Sequence, residues 1–241
     1  MLIAGNWKLN KTLKETKDFF KEFNKLVSKT QNMILVCPSF PCIPAAREYA
    51  LKKIFIGAQN VFFEEKGEFT GEVSVSQLKS FCDFIVLGHS DRRNKFSESN
   101  ELINKKVKAA MKSNFNVILC VGETLNERNS SKTNSVLEEQ LTKSLSGVAL
   151  KKLFIAYEPV WAIGTGKNAS KEDIIQAHSF IKQTLTKLFG EKGKKIQILY
   201  GGSVKPENAK EILSLPNVDG VLVGGASLDP KKFAEIANHK K

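Results

Sequence analysis

Leu153-Phe154-Ile155-Ala156-Tyr157-Glu158-Pro159-Val160-Trp161-Ala162-Ile163-Gly164-Thr165-Gly166-Lys167 contains a strand, its end and a loop. Leu153 to Tyr157 is a short apolar run. Glu158-Pro159 stops it, because proline removes a ladder donor and biases the residue before it towards an extended backbone. Glu158 is thereby placed at a strand's end. Beyond it, Trp161, Ile163 and two glycines around Thr165 make an apolar-tipped segment. A solvated surface loop is the plainer alternative, but exposed Trp and Ile in a loop call for something to cover, and a closing lid answers that better. A carboxylate beneath such a lid loses water on closure.

The same kind of run recurs along the chain: Leu2 to Gly5, Met33 to Cys37, Ile54 to Ala58, Phe84 to Leu87, Val117 to Val121, Ile196 to Tyr200 and Val218 to Val223. With Leu153 to Tyr157 they make eight. Their nearly continuous apolar character suits strands buried on both faces, as in a parallel sheet. Between them lie amphipathic stretches suited to helices, including Lys11 to Lys29, Ser97 to Ser113, Asn134 to Leu145, Ser170 to Phe189 and Pro206 to Leu215. Ser97 and Ser170 read as N-caps, each followed by acidic residues. Eight βα units of about 30 residues close one barrel. The expected fold is α/β, a single (β/α)8 TIM barrel of eight parallel strands ringed by helices, spanning 1–241 as one domain.

Composition is that of an ordinary globular protein, with 41% hydrophobic and 26% charged residues. No apolar run approaches the roughly 18 residues of a membrane span, and the first residues lack a signal-peptide layout, so a cytoplasmic location is expected. Cys37, Cys42, Cys82 and Cys120 are dispersed without CxxC spacing and read as buried thiols rather than disulfides or a metal site. The net charge of +12 raises nucleic acid, an anionic membrane or an anionic metabolite as partners. Its lysines are scattered over many segments without an aromatic-interleaved stripe, which favours a diffuse solvated surface. Neither nucleic acid nor membrane is expected as a partner.

Polar and glycine residues gather just after the strands, at the end where barrel enzymes build their sites. Asn6 and Lys8 follow the first, Gly88 to Arg93 the fourth, Gly201-Gly202-Ser203 the seventh and Gly224-Gly225 the eighth. Glycine-rich turns after the seventh and eighth strands let backbone N–H groups approach a phosphate. Close packing of helices on the barrel would explain some of these glycines but not their clustering.

Asn6-Trp7-Lys8, Gly88-His89-Ser90-Asp91-Arg92-Arg93, Ala156 to Lys167, Tyr200 to Val204 and Leu222 to Gly225 resemble the signature segments of the triosephosphate isomerases, in that family's order over essentially the whole chain. That family is itself the standard illustration of this barrel's site placement, lid closure and acid/base tuning. The resemblance implies interconversion of dihydroxyacetone phosphate and D-glyceraldehyde 3-phosphate through an enediolate, with no cofactor and no metal. Glu158 matches the base, His89 the neutral electrophile and Lys8 the fixed cation. Asn6 holds substrate oxygen or orients the lysine. Gly164, Ser203, Gly224 and Gly225, with Asn6 and Lys8, match the substrate and phosphate contacts.

The resemblance also makes Pro159 to Trp161 and Lys167 to Ala169 the lid's hinges, with Tyr200 and Ser203 as its latches. Glu98 matches a buried structural acid, and Glu123 and Arg128 read as an ion pair that orders the nearby loop. Cys120, close to where Glu158 should lie, invites reading as a nucleophile, but no cysteine chemistry is required and packing is favoured. Asp91 departs from the family's glutamate. One methylene shorter, it is not expected to reach Lys8 as that glutamate does, so no catalytic role passes to it. Gln59 to Ser76, with Phe62, Phe63 and Phe69, is too long for an ordinary connection. In the family this loop inserts beside a second subunit's site, with Thr70 reaching across, which implies a homodimer. Another phosphate-binding barrel enzyme and a lysine-rich nucleic-acid-binding protein are the competing classes. Asn6-Trp7-Lys8 together with Glu158 and its lid argues against the first, and the lack of an aromatic-interleaved stripe against the second.

Overall fold

The computed structural model describes residues 1–163 and 169–240. Eight strands, β1 Leu2–Asn6, β2 Met33–Cys37, β3 Ile54–Ala58, β4 Phe84–Leu87, β5 Asn116–Val121, β6 Leu153–Tyr157, β7 Gln197–Tyr200 and β8 Gly220–Val223, succeed one another around a closed parallel barrel. β8 pairs back onto β1 from Leu2↔Gly220 to Gly5↔Val223. The expected strands match to within two residues. β8 starts late because Asp219 belongs to the turn before it, where its carboxylate accepts from Ile198 N–H at 2.9 Å.

Successive side chains on a strand point to opposite faces. Leu2 and Ala4 enter the barrel, where they meet Leu35, Phe84, Val86, Ile118 and Cys120, while Ile3 joins Val36, Ile85 and Val117 beneath the helices. Both faces are dry, so the strands read as unbroken apolar runs rather than alternating ones. All eight also point the same way. The residues just past their C-terminal ends therefore share one end of the barrel, however far apart they lie in sequence.

The helix Leu13–Leu26 starts at a Thr12–Glu15 capping box and buries Phe19, Phe20 and Phe23. Phe19 meets the edge of Trp7 at 4.8 Å between centroids, and Trp7 Nε1 donates to Ser227 O at 3.1 Å. Burying aromatic rings of this size contributes roughly 2–3 kcal/mol each, and here it fixes the segment leading into Lys8. Ser170 caps Lys171–Phe189 as expected, with Asp173 completing the box. Ser97 does not cap the helix Asn100–Lys112; Ser99 does, while Ser97 takes φ 53°. The reason is Glu98, drawn inwards to pair with Arg92 and Lys106, so the helix can begin only beyond it.

On the helix Lys171–Phe189, His178 is fully buried, with its ring centroid 5.9 Å from that of Tyr157 and 6.5 Å from that of Tyr200. Its Nδ1 lies 2.8 Å from Asn217 O, so Nδ1–H donates and Nε2 is left buried without a partner. Burial therefore lowers its pKa from the usual 6.5 to about 4. Its stabilising contribution is complete above pH 6.5 and is lost as pH falls towards 4, because the unfolded chain binds the proton first. Replacing His178 by Gln should flatten the fall in thermal midpoint over that window. The slope removed should approach ~1.4 kcal/mol per pH unit, measured by calorimetry between pH 7 and 4.

Candidate active site

At the barrel's C-terminal end a cavity of about 330 Å³ is lined by Asn6, Lys8, His89, Glu158, Ser203, Gly224 and Gly225 among others. The structure thus brings together every described residue expected at the site. Gly164 lies outside the described residues, as do Lys167 and Asn168 of the second expected hinge. Asn10 and Lys205 also line the cavity, and no motif in the sequence marks them. Lys205 lies two residues after Ser203 in the segment beyond β7, and that position is the one available signal.

Glu158 is 2% exposed. Its Oε1 sits 3.0 Å from His89 Nε2, and its Oε2 accepts from Ser90 N–H at 2.8 Å. His89 caps the helix Ser90–Lys95, where its Nδ1 accepts from Asp91 N–H at 3.1 Å. An Nδ1 that accepts carries no proton, so the ring is the neutral tautomer with its hydrogen on Nε2, aimed at Glu158. The 3.5 Å approach of Asp91 Oδ2 to that same Nδ1 is accordingly a contact and not an ion pair. Both carboxylate oxygens of Glu158 are occupied. A carbonyl oxygen entering the cavity can take the hydrogen bond from Nε2–H and free Oε1.

Below Glu158 lies Cys120, fully buried. Burial first, and the Glu158 charge second, push its thiol well above its ordinary value. It packs as a thiol and cannot serve as a thiolate nucleophile. Arg93 binds Gly88 O at 2.7 Å, Cys120 O at 3.1 Å and Asn100 Oδ1 at 2.7 Å, tying the ends of β4 and β5 together under the site.

Lys8 has φ 52°, a left-handed conformation that costs a residue with a Cβ roughly 1–2 kcal/mol. Asn6 Oδ1 accepts its N–H at 3.0 Å and Gln59 Nε2 donates to its carbonyl at 2.9 Å, holding the turn. Asn6 therefore orients the lysine. The ammonium pairs with Asp91 Oδ2 at 3.0 Å, which corrects the expectation that the shorter side chain falls short. The kink at Lys8 and the helical turn carrying Asp91 close the gap that the missing methylene would open. Burial pushes the Asp91 carboxyl up, but the Lys8 hydrogen bond and the nearby cationic charges outweigh it and hold the group below its usual range. Asp91→Ala should lower kcat/KM by roughly fivefold, in line with ~1 kcal/mol for a partly exposed pair. Steady-state kinetics beside Asp91→Glu, which should stay near wild type, checks this.

The two pairs of glycines answer to different causes. A Cβ at Gly202 would strike the Tyr200 hydroxyl at 2.2 Å, and one at Gly201 would meet Glu158 Cγ at 2.9 Å. There, close packing accounts for glycine. At Gly225 a Cβ would meet nothing within 4 Å, and at Gly224 only Lys8 Cε at 4.0 Å. Packing does not require glycine at those two, whereas close approach of an anion to the backbone does.

Glu123 and Arg128 pair at 3.6 Å as expected, beside Pro159 to Trp161, the expected first hinge. Glu123, fully buried, accepts from Trp161 Nε1 at 2.9 Å and from Tyr157 Oη at 3.2 Å. Arg128 also lies over the Trp161 ring at 4.4 Å. At the far side, Tyr200 Oη accepts from Ala169 N–H. Glu98 is buried between Arg92 and Lys106, as a structural acid.

A family model described as Triosephosphate isomerase matches residues 1–240. The chain is 43% identical to the triosephosphate isomerase of Endomicrobium trichonymphae, over 100% of this chain and 98% of the relative. It is 48% identical to that of Carboxydothermus hydrogenoformans, over 97% and 96% respectively. A solved structure, the triosephosphate isomerase of Bartonella henselae, superposes with a TM-score of 0.89 at 39% identity, covering 98% of this chain and 96% of that one. On the strength of these whole-length matches and the closed barrel beneath them, the chain belongs to the triosephosphate isomerase family.

Proposed function

We propose that Glu158, His89, Lys8 and Asn6 carry out the interconversion of dihydroxyacetone phosphate and D-glyceraldehyde 3-phosphate in this chain, in glycolysis and gluconeogenesis in the cytoplasm. The observation that carries the assignment is the 3.0 Å contact of Glu158 with a neutral His89 at the wall of a cavity that ends in the open Gly224-Gly225 turn. Substrate carbonyl oxygen displaces Glu158 from Nε2–H. The freed carboxylate takes a proton from the adjacent carbon and returns it to the neighbouring one. His89 moves protons between the two oxygens, and the Lys8 ammonium stabilises the enediolate charge. Asn6 and Lys8 hold the substrate, and the backbone N–H groups of Ser203, Gly224, Gly225 and Gly164 bind phosphate. Lid closure excludes water, which protects the enediolate from losing phosphate. The steps move only protons and need neither metal nor redox cofactor. A coupled assay of glyceraldehyde 3-phosphate isomerisation tests the reading; a folded protein without turnover would refute it.

The protein is further proposed to work as a homodimer through Gln59 to Ser76. Phe62 packs at a tilt against Phe63 and Phe69, at 4.4 Å and 4.6 Å between centroids, yet Phe69 remains 44% exposed. Leu9, next to Lys8, is 95% exposed, a large aliphatic side chain that favours burial by a partner. Gln59, at the loop's base, holds the Lys8 carbonyl, so docking of the loop bears on the catalytic cation. Sedimentation should give a dimer at micromolar concentration, with Phe69→Asp shifting it to monomer and lowering kcat. An active wild-type monomer would overturn the proposal.

A further inference from the structure

Lysines dispersed in sequence are gathered by the topology. Every turn that leads into a strand lies at the end opposite the active site, and these turns carry Lys29, Lys52, Lys53, Lys151, Lys152 and Lys192 among others. Part of the expected diffuse surface is therefore gathered at one end of the barrel. Three of the acids at that end are engaged: Asp83 pairs with Arg47, Glu191 with Lys194 and Asp219 with Lys182.

At this end lies a second cavity of about 450 Å³ at the mouths of β5, β6 and β7, a volume in the range of small-ligand sites. Its wall carries Lys151, Lys152, Lys192 and Lys195 and no carboxylate. Lys151 donates to Asn114 Oδ1 at 2.7 Å. The other three have no carboxylate within 4.0 Å among the described residues. The floor is apolar, formed by Leu150, Leu153, Ile196 and the half-buried ring of Phe154. Phe84 braces that ring at 5.5 Å between centroids, and Phe55 backs Phe84 at 5.6 Å. An aromatic ring rimmed by four ammonium groups, three of them without a carboxylate partner among the described residues, complements a ligand with one flat ring and several phosphates, the ring stacking while the lysines neutralise charge.

From this geometry we infer that the cavity at the N-terminal mouth of the barrel binds a nucleoside polyphosphate, separately from the triose phosphate site. The inference goes beyond the isomerase reading and does not depend on it. The decisive experiment is calorimetric titration of the intact protein with ATP, pyrophosphate and a short single-stranded RNA, with triose phosphate saturating the active site. ATP should bind saturably, one per chain, and more tightly than pyrophosphate. Lys192→Gln with Lys195→Gln should weaken ATP at least roughly tenfold, the scale of losing two charge-assisted phosphate contacts, while leaving isomerisation unchanged. Phe154→Leu should weaken ATP but not pyrophosphate. Five results would each overturn the inference: no saturable ATP binding, ATP binding lost to triose phosphate, ATP binding indifferent to the lysine pair, pyrophosphate binding as tightly as ATP, or RNA binding without ATP binding. The last would reassign this end to strand electrostatics.

Discussion

Glu158→Gln should reduce kcat by roughly 10²–10⁴, the range over which a positioned general base contributes, with KM changed little and the thermal midpoint nearly unmoved. The amide keeps the volume of the carboxylate and one oxygen. That oxygen can still accept from Ser90 N–H, which Glu158 Oε2 does at 2.8 Å, so the local packing survives. What disappears is the proton acceptor. The amide NH₂ also cannot accept from His89 Nε2–H, where Glu158 Oε1 now sits at 3.0 Å. The imidazole donor is then left for substrate to claim without competition, which keeps KM from rising. Steady-state kinetics with differential scanning calorimetry checks both halves. A kcat within tenfold of wild type would remove Glu158 from the role of base, and a large drop in thermal midpoint would make the loss one of folding.

Much of this site is legible in the chain because the barrel imposes a simple rule: residues just past a strand's C-terminal end face the site. Glu158 is marked by the proline after it, His89 by the glycine before it and the run of β4 before that, and Lys8 by its spacing from β1. Contacts that depend on backbone kinks and on three-body competition escape the rule. The reach of Asp91 to Lys8 rests on φ 52° at a lysine, which no propensity announces. Ser97 carries the better-looking cap signal, yet the pull of Arg92 and Lys106 on Glu98 moves the helix start beyond Ser99. Glycines show the same limit: Gly202 and Gly225 look alike in sequence, and only their surroundings separate a packing glycine from an open one. The lysines gathered at one end of the barrel escape for another reason. A scan along the chain sees lysines in separate turns, whereas closing the barrel makes those turns neighbours.

Lys8→Met should cost roughly 10²–10³ in kcat, the scale found when one fixed donor to a developing oxyanion is removed, with a further rise in KM because the same charge attracts the phosphate. Methionine preserves most of the side-chain length, and its backbone meets the same left-handed strain as lysine at φ 52°. The effect therefore isolates the charge. The substitution also strips Asp91 of the ammonium at 3.0 Å, leaving a carboxylate that would add a wrong-signed field beside an enediolate. Adding Asp91→Asn should remove that field and recover part of the loss, a non-additive outcome expected of residues in direct contact. It should not recover the whole, since no cation then faces the oxyanion. Kinetics of the two single variants and the double separate the terms: full recovery in the double variant would mean that Lys8 serves only to neutralise Asp91, and strict additivity would mean that the pair at 3.0 Å has no bearing on catalysis.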